Sequence, residues 1–239
     1  MGRKKGSKNK PKVKPKVIAV KSVTKPVETT VQGTEYWKNR PLEDTERDWK
    51  YEEKDWVQDY WRSKVHPHRT LLLEAMINLF PFKSILEIGC NCGPNLALFK
   101  DYFFEARLAG VDINEQVIEK AEDLLRGRVE LKVGSFMELP WPDDSFDVVV
   151  SDAVLLYASP SEITQALNEI NRVAKKAIVL VERYSPSLEG EVVGHVWGRD
   201  YGTLLKGYGF KVKEKSIGKK HWRTSLNWQK YGKLIIAER

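Results

Sequence analysis

Between positions 84 and 239, short apolar runs alternate with segments in which apolar residues recur every three or four positions. Runs of this length are typical of buried strands, and the longer spacing is typical of amphipathic helices. The pattern predicts strands at 84–89, 107–113, 129–134, 146–151, 176–182, 210–217 and 233–239. It predicts helices at 94–104, 115–126 and 199–207, and another that opens at a capping box of Ser159 and Glu162.

The order of these elements predicts an α/β fold. Strands that alternate with helices at this spacing form a parallel sheet with helices on both faces. The last two strands have no predicted helix between them and are joined by residues 218–232, so we expect them to pair as an antiparallel hairpin. The predicted architecture is a doubly wound sheet of seven strands.

The segment before the first strand is rich in aromatic residues. Trp49, Trp56 and Tyr60 recur at helical spacing, and Pro67 can occupy the first turn of a second helix. We therefore divide the chain into a basic tail at 1–33, an N-terminal helical extension at 34–82 and a main domain at 83–239.

The net charge of +7 is concentrated in the tail. Residues 1–32 hold ten Lys or Arg residues and one acid, whereas the rest of the chain holds 30 basic and 32 acidic residues. The tail has no large aromatic residue and no amphipathic period, so we expect it to be disordered. Because basic segments bind nucleic acid through phosphate contacts, residues 1–32 are a candidate nucleic-acid contact.

Composition argues against several classes of protein. No window approaches the ~18 consecutive apolar residues of a membrane span, and no apolar stretch follows the basic N-terminus as it does in a secretory signal. Cys90 and Cys92 are the only cysteines, too few for a disulfide framework and poorly spaced for a metal pair. We therefore expect a cytoplasmic protein with no resident metal and no membrane contact.

A glycine loop, Glu87-Ile88-Gly89-Cys90-Asn91-Cys92-Gly93, joins the first predicted strand to the next helix. A dinucleotide fingerprint starting at Gly89 would need glycines at 91 and 94, where the chain has Asn91 and Pro94. The loop carries the acid Glu87, and no Lys or Arg lies between 84 and 99. This charge suits a ligand with an ammonium or sulfonium centre better than a pyrophosphate.

Asp112 ends the second predicted strand, 23 residues after Gly89. A carboxylate at that place can accept hydrogen bonds from both hydroxyls of a ribose. The glycine loop, its acid and this carboxylate together predict S-adenosylmethionine as the cofactor.

Three segments resemble the motifs of class I S-adenosylmethionine-dependent methyltransferases, specifically the type-11 group. LEIGCNCG resembles their first motif, GVDINEQVIEKA their second, and LPWPDDSFDVVVSDAVLLY their third and fourth. The resemblance covers about residues 84–184. It implies a Rossmann-like sheet of strand order 3-2-1-4-5-7-6 in which strand seven is antiparallel.

A narrower resemblance is to methylases associated with pseudaminic acid biosynthesis. The shared features are the GCN form of the loop, DINE after the second strand, GSFMELPW, VLLY and ERYSPS. This resemblance leaves the acceptor open, and the lysine-rich tail is not part of the pattern.

The resemblance to type-11 methyltransferases also implies the roles of individual residues. It implies that the methionine portion of the cofactor is surrounded by Gly89, Cys90, Asn91 and Gly93. Asp112 would bind the ribose, and the adenine would contact Ile113, Gly134, Ser135 and Phe136. Ser151 and Asp152 end the fourth strand and would lie near the sulfonium and the acceptor.

The residue that would remove a proton from the acceptor is weakly signalled. Candidate bases are Asp152, Tyr157, His195 and His221, and we select Asp152 and His195 because the connections after the fourth and fifth strands face substrate in this fold. His66 and His68 flank Pro67 and are interpreted as residues that start a helix. In an alternative interpretation, Tyr36, Trp37 or Trp61 covers the cofactor while Arg62 or Arg69 meets its carboxylate.

Three functions remain open at this point. The first is methyl transfer to a small molecule, such as a sugar or glycan precursor. The second is methyl transfer to nucleic acid, or to a protein bound to it, with residues 1–32 as the nucleic-acid contact. The third is a binding protein that retains the fold without catalysis. The sequence identifies neither the acceptor nor the oligomeric state.

Overall fold

The structure is a computed structural model that describes residues 33–42, 56–194 and 196–239. The predicted disorder of the basic tail and its contact with nucleic acid concern residues 1–32, which lie outside the described residues. Trp49 and His195 also lie outside them.

The centre of the fold is a seven-stranded sheet of order β3-β2-β1-β4-β5-β9-β8. Its strands are β1 Ser84–Ile88, β2 Arg107–Asp112, β3 Val129–Val133, β4 Phe146–Asp152, β5 Ala174–Arg183, β8 Lys211–Ser216 and β9 Gly232–Glu238. The first five are parallel, and β9 runs antiparallel to both β5 and β8. The predicted fold class and strand order are confirmed. The predicted strands six and seven are β8 and β9 in the structure, because a separate hairpin of β6 Glu191–Val193 and β7 Val196–Gly198 precedes them.

Eight α-helices accompany these strands in the described ranges. They are α1 Gly33–Asn39, α2 Trp56–Arg62, α3 Pro67–Leu79, α4 Pro94–Tyr102, α5 Glu115–Leu125, α6 Ile163–Val173, α7 Tyr201–Gly207 and α8 Leu226–Tyr231. The predicted N-terminal helices are therefore present. No helix in these ranges has the length and apolar character needed to cross a bilayer.

Local sequence explains where several helices start. Asn114 caps α5, because its side-chain oxygen accepts a hydrogen bond from the Val117 N–H at 3.2 Å. Pro67 occupies the first turn of α3, where its missing N–H costs nothing. Only half of the capping box before α6 forms: the Glu162 carboxylate accepts the Ser159 N–H at 2.7 Å, while the Ser159 hydroxyl contacts that of Ser161.

The two faces of the sheet form two separate cores. Val150 and Val181 belong to the core beneath α3 and α4, whereas Val149 and Leu180 belong to the core beneath α6 and α7. Successive residues of a strand point to opposite faces, so strand parity decides the face on which each polar residue at the strand ends lies.

The β6–β7 hairpin and α8 were not predicted. Each strand of the hairpin has three residues, and α8 has six. Segments this short show neither the alternation of a strand nor the three-to-four-residue spacing of a helix clearly enough to be predicted. Helix α8 lies inside the predicted connection 218–232 and is held by the buried ring of Trp228.

Candidate functional site

A cavity opens at the carboxyl ends of β1, β2 and β4, and its empty space, including the open mouth, is about 650 Å³. Ligands bind at this edge in doubly wound sheets. Its lining comprises Thr34, Trp37, Tyr60, Ile88, Gly89, Asn91, Asp112, Ile113, Gly134, Ser135, Phe136, Asp152, Ala153, Val154 and Tyr157. Eight of these residues are predicted site residues.

The loop between β1 and α4 forms the floor of the cavity through left-handed backbone conformations. The φ angles are 65° at Gly89, 51° at Asn91 and 82° at Gly93. The N–H groups of Gly89 and Cys90 both donate to the Val111 carbonyl, at 2.7 and 3.0 Å. A Cβ at position 89 would lie 2.3 Å from a methyl carbon of Val154, so only glycine fits there.

Asp112 ties this loop to the start of α5. Its Oδ2 accepts the Asn91 N–H at 2.9 Å, and its Oδ1 accepts the Asn114 N–H at 3.0 Å. Desolvation raises the pKa of Asp112, and the backbone donors partly offset this. Each carboxylate oxygen can accept a second hydrogen bond, so Asp112 can still receive two hydroxyl groups.

Asp152 lies at the opposite wall, at the end of β4, with its side chain 5% exposed. Its Oδ2 accepts hydrogen bonds of 3.0 Å from each of His68 Nε2, Arg69 Nη1 and Asn95 Nδ2. Burial acts to raise the pKa of Asp152, but the neighbouring charges and donors hold it well below its usual range. A carboxyl group this acidic provides a fixed negative charge at neutral pH rather than a base.

Three buried acceptor atoms near Asp152 have no hydrogen-bond partner within the described part of the chain: Glu87 Oε2, Asn95 Oδ1 and Asp152 Oδ1. Asn95 Nδ2 joins the two carboxylates, because it also donates to Glu87 Oε1 at 2.7 Å. Burial raises the pKa of Glu87 to about 8. At neutral pH Glu87 therefore keeps its proton, and Asn95 Oδ1 and Asp152 Oδ1 remain as buried acceptors without a donor, which is costly. Of these two residues Asp152 lines the cavity, so its carboxylate is the group that a ligand cation would meet.

Four predicted site residues in the described ranges do not line the cavity: Glu87, Cys90, Gly93 and Ser151. The Cys90 side chain is buried in the core, and burial raises the pKa of its thiol well above the usual value. The Ser151 hydroxyl donates to Glu182 at 3.0 Å on the other face of the sheet. Glu87 also lies behind the lining and is connected to it through Asn95. These assignments stay predictions.

Helix α1 closes the cavity from the N-terminal side. Asn114 Nδ2 donates to the Trp37 carbonyl at 3.0 Å, and the Thr34 hydroxyl donates to Glu162 at 3.2 Å. The Trp37 ring contacts the Tyr157 ring at a centroid distance of 5.3 Å. Of the aromatic residues considered as a cover, Trp37 therefore lines the cavity, while Tyr36 and Trp61 do not.

Sequence reasoning missed several residues at this site. Tyr60 and Thr34 carry no local signal, since they reach the cavity only when the N-terminal helices fold over the sheet. Arg69 was considered only as a contact of the cofactor's carboxylate, and the structure pairs it with Asp152. His68, interpreted as a residue that starts a helix, is part of the same buried cluster. The signal for this cluster was the polar run 66–69 at the start of an otherwise apolar helix.

The residues around the cavity fit S-adenosylmethionine on structural grounds alone. Asp112 can accept the ribose hydroxyls, and the ionised carboxylate of Asp152 matches a ligand cation. Phe136 and Ile113 provide apolar walls for the adenine. Among the described residues, the lining contains no Lys or Arg, as expected of a site for a cationic ligand.

Comparison with other proteins identifies the domain. A family described as methyltransferase domain matches residues 86–181. An uncharacterized methyltransferase of Schizosaccharomyces pombe is 34% identical over 101 residues, 38% of this chain and 36% of that protein. A demethylmenaquinone methyltransferase of Lactobacillus johnsonii is 32% identical over 96 residues, 38% of each protein. The chain spans less than half the length of the curated relatives it matches.

Solved structures of methyltransferases share the fold of this chain. The family match covers residues 86–181. An S-adenosylmethionine-dependent methyltransferase from Aquifex aeolicus superposes with a TM-score of 0.56 at 18% identity, covering 76% of this chain and 95% of that one. Phosphoethanolamine N-methyltransferase 1 of Haemonchus contortus, solved with phosphoethanolamine and S-adenosylhomocysteine, gives a TM-score of 0.54 at 18% identity, covering 76% and 48%. Residues 86–181 therefore form a class I S-adenosylmethionine-dependent methyltransferase domain, whose cofactor is S-adenosylmethionine.

Proposed function

We propose that this chain transfers the methyl group of S-adenosylmethionine to a small-molecule acceptor, of which a sugar or glycan precursor is the expected class. The observation that supports this proposal most directly is the cavity lined by both Asp112 and Asp152, in which Asp152 Oδ1 has no hydrogen-bond partner among the described residues. When bound, the cofactor supplies an electrophilic methyl carbon, and the carbon–sulfur bond breaks as the bond to the acceptor forms.

The chain's own residues contribute positioning and charge. Asp112 and the glycine loop would orient the adenosyl part, and the negative charge of Asp152 would favour a cation beside it. Holding reactants in line supplies much of the catalysis in a displacement of this type. Trp37 and Tyr60 would exclude water from the bound cofactor.

A hydroxyl acceptor must also lose its proton as the methyl–oxygen bond forms. We propose His195 for this step, as the sequence predicts. Asp152 holds protons too weakly to act as the base. Burial raises the pKa of Tyr157, so its hydroxyl stays protonated and can donate a hydrogen bond to the acceptor.

The aromatic cover favours a small acceptor over a polymer. Trp37, Tyr60 and Tyr157 line the cavity, and aromatic side chains are common in the lining of small-molecule sites. The narrower resemblance to methylases associated with pseudaminic acid biosynthesis points in the same direction. Both cysteines are free thiols, as expected in the cytoplasm, the compartment that we propose.

A labelled-methyl assay on fractionated cell extract tests the proposal. We expect label from S-adenosylmethionine to enter the small-molecule fraction with the unaltered protein, and more slowly at low cofactor concentration with Asp112→Asn, which impairs the ribose site. Transfer to RNA, DNA or protein would instead support the second function. Absence of S-adenosylhomocysteine binding in calorimetry would reject the proposal altogether.

A further inference from the structure

Arg183, the last residue of β5, is a buried guanidinium that the cofactor site does not use. Arg183 is only 6% exposed. Nη1 donates to the Val193 carbonyl at 2.8 Å, whereas Nε is buried with no hydrogen-bond partner in the described ranges. No ion pair found among the described residues includes Arg183. A buried cation without an anionic partner is costly.

A structural role does not account for this arrangement. Arg199, another buried arginine, donates to the carbonyls of Glu189, Leu155 and Ala158 and so joins the hairpin region to the loop after β4. Arg183 is buried to a similar extent, but within the described residues it donates only one hydrogen bond, to the neutral carbonyl of Val193. The charge of Arg183 is therefore not needed to hold Val193 in place, since a neutral donor would suffice.

The acid next to Arg183 in sequence is not its partner. Glu182 lies on the opposite face of the sheet by strand parity. Its carboxylate accepts the Ser151 hydroxyl and the N–H groups of Val154, Leu155 and Leu156. It shapes the loop after β4 and makes no hydrogen bond to Arg183, although its charge acts on Arg183 through the sheet and partly opposes the lowering of the Arg183 pKa by burial.

Arg183 lies on the same sheet face and at the same edge as Asp152. Asp152 pairs with Val181 across the parallel strands, and Arg183 is two residues further along β5. Side chains of paired residues, and of residues two apart, point to the same face. Arg183 is therefore placed beside the cavity wall formed by Asp152, on the side away from the glycine loop.

The surroundings of Arg183 form a partly aromatic recess. Its guanidinium carbon lies 5.3 Å from the centre of the Trp228 ring. Nη1 lies 3.5 Å from the point where a Cβ would stand on Gly194, at the turn of the β6–β7 hairpin. Burial raises the pKa of the cavity residue Tyr157, and the charge of Arg183 partly opposes this. Arg183 thus interacts electrostatically with a residue that lines the cofactor cavity.

We propose that Arg183 binds an oxyanion, a carboxylate or a phosphate, carried by the methyl acceptor. This inference rests on the proposed function, because it assigns the acceptor side of the same site. A planar guanidinium with unused N–H donors matches either anion. The acceptor is then an anionic small molecule, and its anionic group lies on the β5 side of the transferred methyl.

Anion titrations of the S-adenosylhomocysteine-loaded protein test this assignment. Sodium acetate and inorganic phosphate are each titrated against chloride at constant ionic strength, and tryptophan fluorescence is recorded because Trp228 contacts Arg183. We expect saturable binding of at least one anion. Arg183→Met should weaken it about tenfold or more, and Arg183→Lys, which keeps the charge, should weaken it less. Arg126→Met, on the exposed end of α5, should leave it unchanged.

The outcomes separate the possible sources of the anion. Binding of acetate alone supports a carboxylated acceptor, and binding of phosphate alone supports a phosphorylated one. No saturable binding to the unaltered protein, or equal binding to folded Arg183→Met, overturns the proposal. If Arg183→Met does not fold, the comparison of Arg183→Lys with the unaltered protein decides. S-adenosylhomocysteine should bind equally well to all variants, and its failure to bind the unaltered protein would instead count against the proposed function.

Discussion

Asp112→Asn is the sharpest test of the ribose site, because the structure gives both oxygens of Asp112 a defined partner. Oδ2 accepts from Asn91 and Oδ1 from Asn114. An amide has one oxygen, so its NH₂ group must face one of these two backbone N–H groups. The substitution therefore removes the negative charge and leaves one backbone donor without an acceptor.

The size of the effect follows from these contacts. A hydrogen bond to a charged group contributes about 1.5–3 kcal/mol. Losing one such bond to a ribose hydroxyl raises the dissociation constant of S-adenosylhomocysteine about 10- to 100-fold. The unpaired backbone donor lowers the free energy of unfolding by about 1–3 kcal/mol.

Isothermal titration with S-adenosylhomocysteine measures the first effect, and thermal unfolding measures the second. Asp123→Asn is the matched control, because Asp123 is exposed on α5 and the same change of charge should alter neither quantity. A folded Asp112→Asn protein that binds S-adenosylhomocysteine as tightly as the unaltered protein would refute the assignment of Asp112 to the ribose.

Three further predictions concern the rest of the cavity. Gly89→Ala places a Cβ against Val154 and should cost about 1–3 kcal/mol of stability; in a thermal melt, adding Val154→Ala should restore part of the loss. The pKa of Glu87 is raised from 4.5 to about 8, so the folded protein holds a proton that the unfolded chain releases, and the free energy of unfolding should fall as pH rises from 5 to 8. Glu87→Gln should flatten this dependence in denaturant titrations, and an unaltered slope would contradict the raised pKa. Trp37→Ala should weaken S-adenosylhomocysteine binding in calorimetry by removing part of the cover, and unchanged affinity would show that α1 does not contact the cofactor.

The main elements of the fold were predictable from sequence because their signals are local. In the strand from Ser84 to Ile88, every residue except Ser84 and Glu87 is apolar. In α5, Asn114 at the start and an apolar face along the helix mark both the position and the orientation of the element. The glycine loop was predictable for the same reason, since the need for positive φ angles is met by residues adjacent in sequence.

The polar cluster around Asp152 was decided only by the tertiary structure. His68 and Asp152 are 84 residues apart in sequence, and neither belongs to a motif that names the other. Their contact depends on α3 packing against the face of the sheet to which Asp152 points. The same contact changes the chemistry of Asp152 from a candidate base to a fixed charge, because its pKa depends on neighbours brought close by folding.

By itself, the sequence determined the α/β architecture, the strand order through its resemblance, and the cofactor. The tertiary structure decided which residues face the cofactor, which of the predicted ones lie behind the lining, and where a buried cation is left without an anion. The physical reason is the range of the interactions: strand and helix periods act over a few residues, whereas burial and charge pairing act between segments that meet only in the folded chain.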